Sequence, residues 1–152
     1  MKTLEIRRHA KRDSTQDRLS PEGRAQAEEV GRGMTDTYDI VFVSPAARAA
    51  ETVAWLLRGS GAQLPAHAVV PGLAGVDAPE PAGLAGMLQA LLDDVPEGGR
   101  GLAVGHTPLI ERGVGTLTGY ELAPLAECEG VVISQTLDGA FAIEEIRSET
   151  GH

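Results

Sequence analysis

Ile40-Val41-Phe42-Val43-Ser44-Pro45-Ala46-Ala47-Arg48-Ala49-Ala50-Glu51-Thr52 opens as an apolar, β-branched run and changes character at a serine and a proline. A short continuous run of this kind suits a strand buried on both faces. A cap residue followed by proline signals a helix start, so Ser44 is expected to cap a helix carrying Arg48 and Thr52. The stretch therefore predicts one strand-turn-helix unit.

The unit recurs along the chain. Thr3-Leu4-Glu5-Ile6 runs into Arg8-His9-Ala10, Ala68-Val69-Val70 into Pro71-Gly72, and Leu102-Ala103-Val104 into Gly105-His106-Thr107-Pro108. Ser20-Pro21 and Thr107-Pro108 repeat the cap-proline signal. Ala27, Val30 and Met34 form an apolar stripe after Pro21, and Arg24, Glu28 and Arg32 are spaced as a charge ladder along it. Leu84, Met87, Leu88, Leu91, Leu92 and Val95 form a second stripe, and Ile110, Val114 and Leu117 a third. Alternating strands and helices predict right-handed βαβ units, and hence an α/β fold of three layers, α/β/α, with a mostly parallel sheet. Val131-Val132-Ile133 and Phe141-Ala142-Ile143, joined through Asp138-Gly139, predict a C-terminal hairpin that extends the sheet edge with an antiparallel strand. A length of 152 residues fits one domain over residues 1–152.

The net charge of -9 disfavours nucleic acid and anionic membranes as partners. Yet Arg7, Arg8, Lys11, Arg12, Arg18 and Arg24 crowd the N-terminal stretch, while the charged residues from 121 to 149 are acidic except Arg147. Such a chain can hold one anion locally and repel anions elsewhere. Cys128 is the only cysteine, so no intrachain disulfide forms. The N-terminus has no signal-peptide pattern, and no apolar run reaches membrane-spanning length. A cytoplasmic monomer is expected.

Ligands of parallel α/β sheets bind beyond the carboxyl ends of the strands. His9, Arg48 and His106 fall at three such ends. Histidine can accept a phosphoryl group as a nucleophile, and arginine's planar fork matches phosphate oxygens. Two histidines also raise a zinc site, but no third ligand stands at the usual spacing and arginines would repel the cation. Neither a metal nor a cofactor is expected. A Ser-His-Asp hydrolase is disfavoured: Ser20 and Ser44 read as helix caps and no G-x-S-x-G elbow is present.

Arg8-His9-Ala10, Arg18-Leu19-Ser20-Pro21-Glu22-Gly23-Arg24-Ala25-Gln26-Ala27, Ser44-Pro45-x-x-Arg48-Ala49-x-x-Thr52 and Val104-Gly105-His106-Thr107-Pro108 together resemble the histidine phosphatase superfamily, the phosphoglycerate mutase-like fold. Within it the chain is most similar to the short, SixA-type phosphohistidine phosphatases. The resemblance implies that His9 is the nucleophile and that Arg8, Arg48 and His106 bind the phosphoryl oxygens, helped by backbone N–H groups of the helix beginning at Thr107. It adds Arg18 as a further substrate-binding residue. Arg7 is expected on the opposite face of its strand, and His67 and His152 as structural or exposed.

Two departures stand out. Ala10 replaces the family's usual glycine, as in the short branch. The carboxylate that many members carry just after the position of Leu73 is missing, leaving Asp77 and Glu80 as the candidate acids. A general acid contributes about 10²–10⁴-fold when an alkoxide must leave. A site without one favours a P–N bond, because imidazole departs neutral once protonated. The short segment before the next helix also leaves no room for a lid. The expected substrate is therefore phosphohistidine or another accessible phosphoprotein. The alternative is a small-metabolite phosphomonoesterase with Asp77 or Glu80 as its acid. A non-catalytic phosphate-binding module is disfavoured, because it would have no need of the nucleophile.

Overall fold

A computed structural model of the chain describes residues 1–78 and 82–148. Glu80 and His152 lie outside the described residues. Six strands, β1 (Lys2–Arg8), β2 (Ile40–Val43), β3 (Ala66–Val69), β4 (Arg100–Gly105), β5 (Gly130–Gln135) and β6 (Phe141–Ile146), form one sheet in the order β3-β2-β4-β1-β5-β6. The first four in that order are parallel. β5 runs antiparallel to both β1 and β6, so the C-terminal hairpin extends the sheet edge as its sequence predicts.

Helices α1 (Pro21–Arg32) and α2 (Ala47–Ser60) cover one face of the sheet, and α3 (Ala82–Asp94) and α4 (Leu109–Thr118) the other. Leu4 and Ile6 of β1 face α3 and α4, in a core with Phe42, Leu88, Leu92, Ile110 and Ile133. Val41, Val43, Leu102 and Val104 face Ala27, Val53 and Leu56 of the other helix pair. Close approach there depends on glycine: a Cβ at Gly31 of α1 would sit 2.1 Å from the Leu56 carbonyl oxygen of α2.

Several local expectations need correction. Only the first of the three cap-proline signals places its cap as read. Ser20 caps α1, its Oγ accepting the Gly23 N–H at 3.0 Å. α2 instead starts at Ala47 with Ala46 as its cap, and α4 starts at Leu109 after Pro108. Neither cap residue makes a side-chain bond, so Ser44 and Thr107 are not caps. β3 begins two residues earlier than its sequence suggests and is exposed throughout, because it is the sheet edge. The charge ladder on α1 is partial: Arg32 meets Glu28, but Arg24 turns to Glu51 of α2.

The face of β1 opposite Leu4 and Ile6 carries Glu5 and Arg7, as strand alternation requires. Glu5 is 1% exposed. Its carboxylate accepts bonds from Arg7 Nε at 2.6 Å, Arg100 Nη2 at 2.5 Å and Tyr38 Oη at 2.9 Å. Burial alone would raise its pKa; the Arg7 charge and these bonds outweigh that and hold it below the ordinary carboxylate range. Arg7 also donates to the Cys128 carbonyl, which keeps it on the face opposite Arg8.

Removing one partner of a buried ion pair leaves an uncompensated charge, at a cost of about 3–5 kcal/mol. Glu5→Ala should destabilise the fold by about that amount in urea titration. Glu29→Ala, whose partner Arg32 is exposed, should cost less than about 1 kcal/mol. Because the Glu5 pKa is lowered on folding, its contribution is present above the unfolded carboxylate pKa of about 4.3 and is lost as pH falls below it. A Glu5→Ala protein as stable as wild type at neutral pH would contradict this account.

Candidate active site

β1 and β4 are neighbours in parallel register, with Arg8 beside Gly105. His9 and His106 are the next residues of each chain segment, so both leave the sheet at one height. The His9 N–H bonds the Gly105 carbonyl at 3.1 Å. The two rings lie edge to face with centroids 5.2 Å apart.

β2 adds the third contribution. The Ser44 N–H bonds the Val104 carbonyl, which brings the start of α2 beside His106. Arg48, in the first turn of α2, then reaches both rings. Its Nε donates to His9 Nε2 at 3.3 Å and its Nη2 to His106 Nδ1 at 3.4 Å. Its Nη1 donates to Asp17 at 2.9 Å.

These partners set the tautomers, since arginine only donates. His9 Nδ1–H bonds the Ala10 carbonyl at 2.7 Å, leaving Nε2 with its lone pair toward Arg48. His106 Nε2–H bonds Ser44 Oγ at 2.6 Å, leaving Nδ1 toward the same arginine. Burial lowers the His9 pKa, against the Ala10 bond, and Arg48, Arg8 and Arg12 lower it further. Burial, then Arg48 and His9, push His106 down to about 4. Both shifts favour the neutral rings at neutral pH, and the tautomer leaves the His9 Nε2 lone pair free.

Arg8 lies across the end of β1, with Nη1 on the Leu125 carbonyl at 2.8 Å and Nη2 3.4 Å from Glu127. Its Nε is buried without a hydrogen-bond partner among the described residues. An orphaned cationic donor is costly unless an anion satisfies it. Arg18 is half-exposed and bonded to Asp13. Asp77 is an exposed residue of the loop after the 3₁₀ turn Pro71–Ala74, at φ 57°. Among the described residues, no group of three or more His, Cys, Asp or Glu side chains is placed to hold a metal ion. No helix among them is long and apolar enough to cross a membrane.

A profile of the histidine phosphatase superfamily (branch 1) matches residues 4–84, more than half of the chain. The chain belongs to that superfamily. It is a histidine-type phosphatase. None of the curated protein sequences matches it. Solved structures share its fold across nearly the whole length. The protein histidine phosphatase SixA, complexed with tungstate, is 23% identical, with 95% of this chain and 96% of that one covered at a TM-score of 0.73. A mycobacterial glucosyl-3-phosphoglycerate phosphatase is 18% identical, with 97% and 99% covered at 0.70. Phosphoserine phosphatase from Entamoeba histolytica, in complex with 3-phosphoglyceric acid, is 18% identical, with 99% and 98% covered at 0.71.

In this phosphatase His9, Arg48 and His106 meet, Arg8 stands beside them and Arg18 is paired with Asp13. Sequence reasoning missed two contributors. Ser44 binds His106 where a helix cap was expected; Ser-Pro looks the same in either role, and only the β2–β4 pairing separates them. Asp17, beside Arg48, left no usable signal, because Ser44 already offered the sequence a cap for α2.

Ring titration by NMR checks the electrostatics. The His106 midpoint should fall near 4 and that of His9 below 6.5. A midpoint at or above 6.5 for either ring in the free protein would contradict the burial described.

Proposed function

We propose that the phosphatase works through a phosphohistidine on His9 and takes its phosphoryl group from a phosphorylated protein, with phosphohistidine the favoured donor. The observation that carries this reading is the position of Arg48, whose Nε and Nη2 converge on His9 Nε2 and His106 Nδ1. A phosphoryl group on His9 Nε2 would lie among these donors, with Arg8 alongside. Cationic donors fixed before the reaction stabilise the charge that gathers on the equatorial oxygens.

His9 Nε2 attacks phosphorus, and the P–N or P–O bond to the substrate breaks with its electron pair going to the leaving atom. Water then attacks the phosphoenzyme. His9 leaves with the N–P electron pair, the water oxygen stays on phosphate and its proton is released to solvent.

The carboxylates paired with the arginines of the cluster give little support for a proton donor. Asp17 and Glu127 are paired with Arg48 and Arg8, and the Ala47 N–H, with Arg48, keeps Asp17 ionised. An alkoxide would therefore leave without the usual help, whereas a protonated imidazole leaves unaided. SixA, which shares the fold, is a protein histidine phosphatase. The fold also serves a phosphatase of glucosyl-3-phosphoglycerate, so likeness alone does not choose the substrate.

Turnover of a phosphohistidine peptide and of the matched phosphoserine peptide tests the choice. The phosphohistidine peptide should be favoured by about 10²-fold or more in kcat/KM, the scale of a missing general acid. His9→Ala should abolish both activities. Asp77→Asn and Glu80→Gln should each change phosphohistidine turnover by less than about tenfold. Equal turnover of the two peptides, with a loss of about 10²-fold in either carboxylate variant, would favour a small-metabolite phosphomonoesterase instead.

A further inference from the structure

We propose that Asp17 is a positioning residue for phosphoryl transfer: from a loop far upstream it caps α2 and pins the Arg48 guanidinium between His9 and His106. This rests on the assignment of the His9, Arg48 and His106 cluster as the phosphoryl site.

Helix α2 needs an outside cap. Its cap residue is Ala46, which has no side-chain acceptor, so the first N–H groups of the helix lack a local partner. Asp17 supplies it. Oδ2 accepts the Ala47 N–H at 2.9 Å and Oδ1 the Arg48 N–H at 3.1 Å. The same Oδ1 accepts Arg48 Nη1 at 2.9 Å. One carboxylate thus holds both the backbone and the side chain of the arginine.

The geometry divides the guanidinium into two edges. Nη1 is held by Asp17. Nε and Nη2 face the two imidazoles, and both ring contacts are long, at 3.3 and 3.4 Å. An incoming phosphoryl group can take Nε and Nη2 from the rings while Nη1 stays anchored. The arginine then has no rotamer freedom to lose when substrate arrives. The anchor also carries a cost, since a carboxylate near the site repels a phosphate dianion. Asp17 should accordingly matter more to kcat than to ground-state binding.

The loop holding Asp17 is itself braced. Ser20 N–H and Oγ–H both bond the Lys11 carbonyl, and the Leu19 N–H bonds Glu51 of α2. Arg18, next in sequence, is tied to Asp13, whose Oδ1 also accepts the Thr15 and Gln16 N–H groups. The loop is fastened at several points, so Asp17 is presented rather than recruited.

A double-mutant cycle on an aryl phosphate separates positioning from simple capping. Asp17→Ala should lower kcat/KM by roughly 10- to 100-fold, mostly in kcat, the scale expected of a misplaced catalytic group. Asp17→Asn keeps one oxygen for Arg48 but turns an amide NH₂ to the Ala47 N–H, and should fall between wild type and Asp17→Ala. In an Arg48→Ala background, Asp17→Ala should cost less than about threefold, because nothing remains to position. Thermal melts show that the variants fold; should Asp17→Ala not fold, the Asn variant in both backgrounds reads the same coupling. An equal loss in both backgrounds would show that Asp17 only caps the helix and would overturn the proposal. So would full activity in Asp17→Ala beside an impaired Arg48→Ala, with the phosphoryl-site assignment intact. Full activity in Arg48→Ala would overturn that assignment and the proposal together.

Discussion

The backbone N–H of His9 bonds the carbonyl of Gly105, where β1 gives way to the loop that follows it. That bond continues the parallel ladder between β1 and β4 by one residue, and it sets both histidines at one height. A shift of one residue in this pairing would turn every alternate side chain to the other face. Leu4 and Ile6 would then leave the apolar core, and Glu5 would enter it without its arginines. The register that buries the β1 core is therefore the one that brings His9 and His106 together.

Burial and positive charge act on that site together. Desolvation disfavours a protonated imidazole, and Arg48 disfavours it further. The arginine charges beside the rings thus keep His9 and His106 unprotonated. The surrounding carboxylates confine those cations. Asp17 holds Arg48, Glu127 lies near Arg8, and Glu5 holds Arg7 and Arg100 on the other face of β1. A protein of net charge -9 keeps a cationic centre in this way, by pairing arginines along edges that do not face the histidines.

Local pattern was enough for β1, β2 and β4, because each is an apolar run stopped by a polar or proline boundary. It was enough for α1, α3 and α4, whose stripes repeat at helical spacing. It also served His9, Arg48 and His106, each tied to the end of such a run. β3 was misplaced because Ala66, His67 and Ala68 have little strand character and are held only by pairing with β2. Ser44 was misread because the pairing of β2 with β4 joins segments far apart in sequence. The Glu5 network was hidden for the same reason: Tyr38 and Arg100 come from other segments, and a lone Glu in a strand gives no sign of them.

On the proposed mechanism His9 Nε2, set before Arg48 and His106, receives the phosphoryl group. Rapid alkaline quench during turnover of a phosphorus-32 substrate, followed by peptide mapping, tests it directly. The label should appear on the peptide containing His9, survive alkali and be lost in acid, and it should be absent from His9→Ala. Label on any other residue would contradict the claim, as would labelling that persists in His9→Ala.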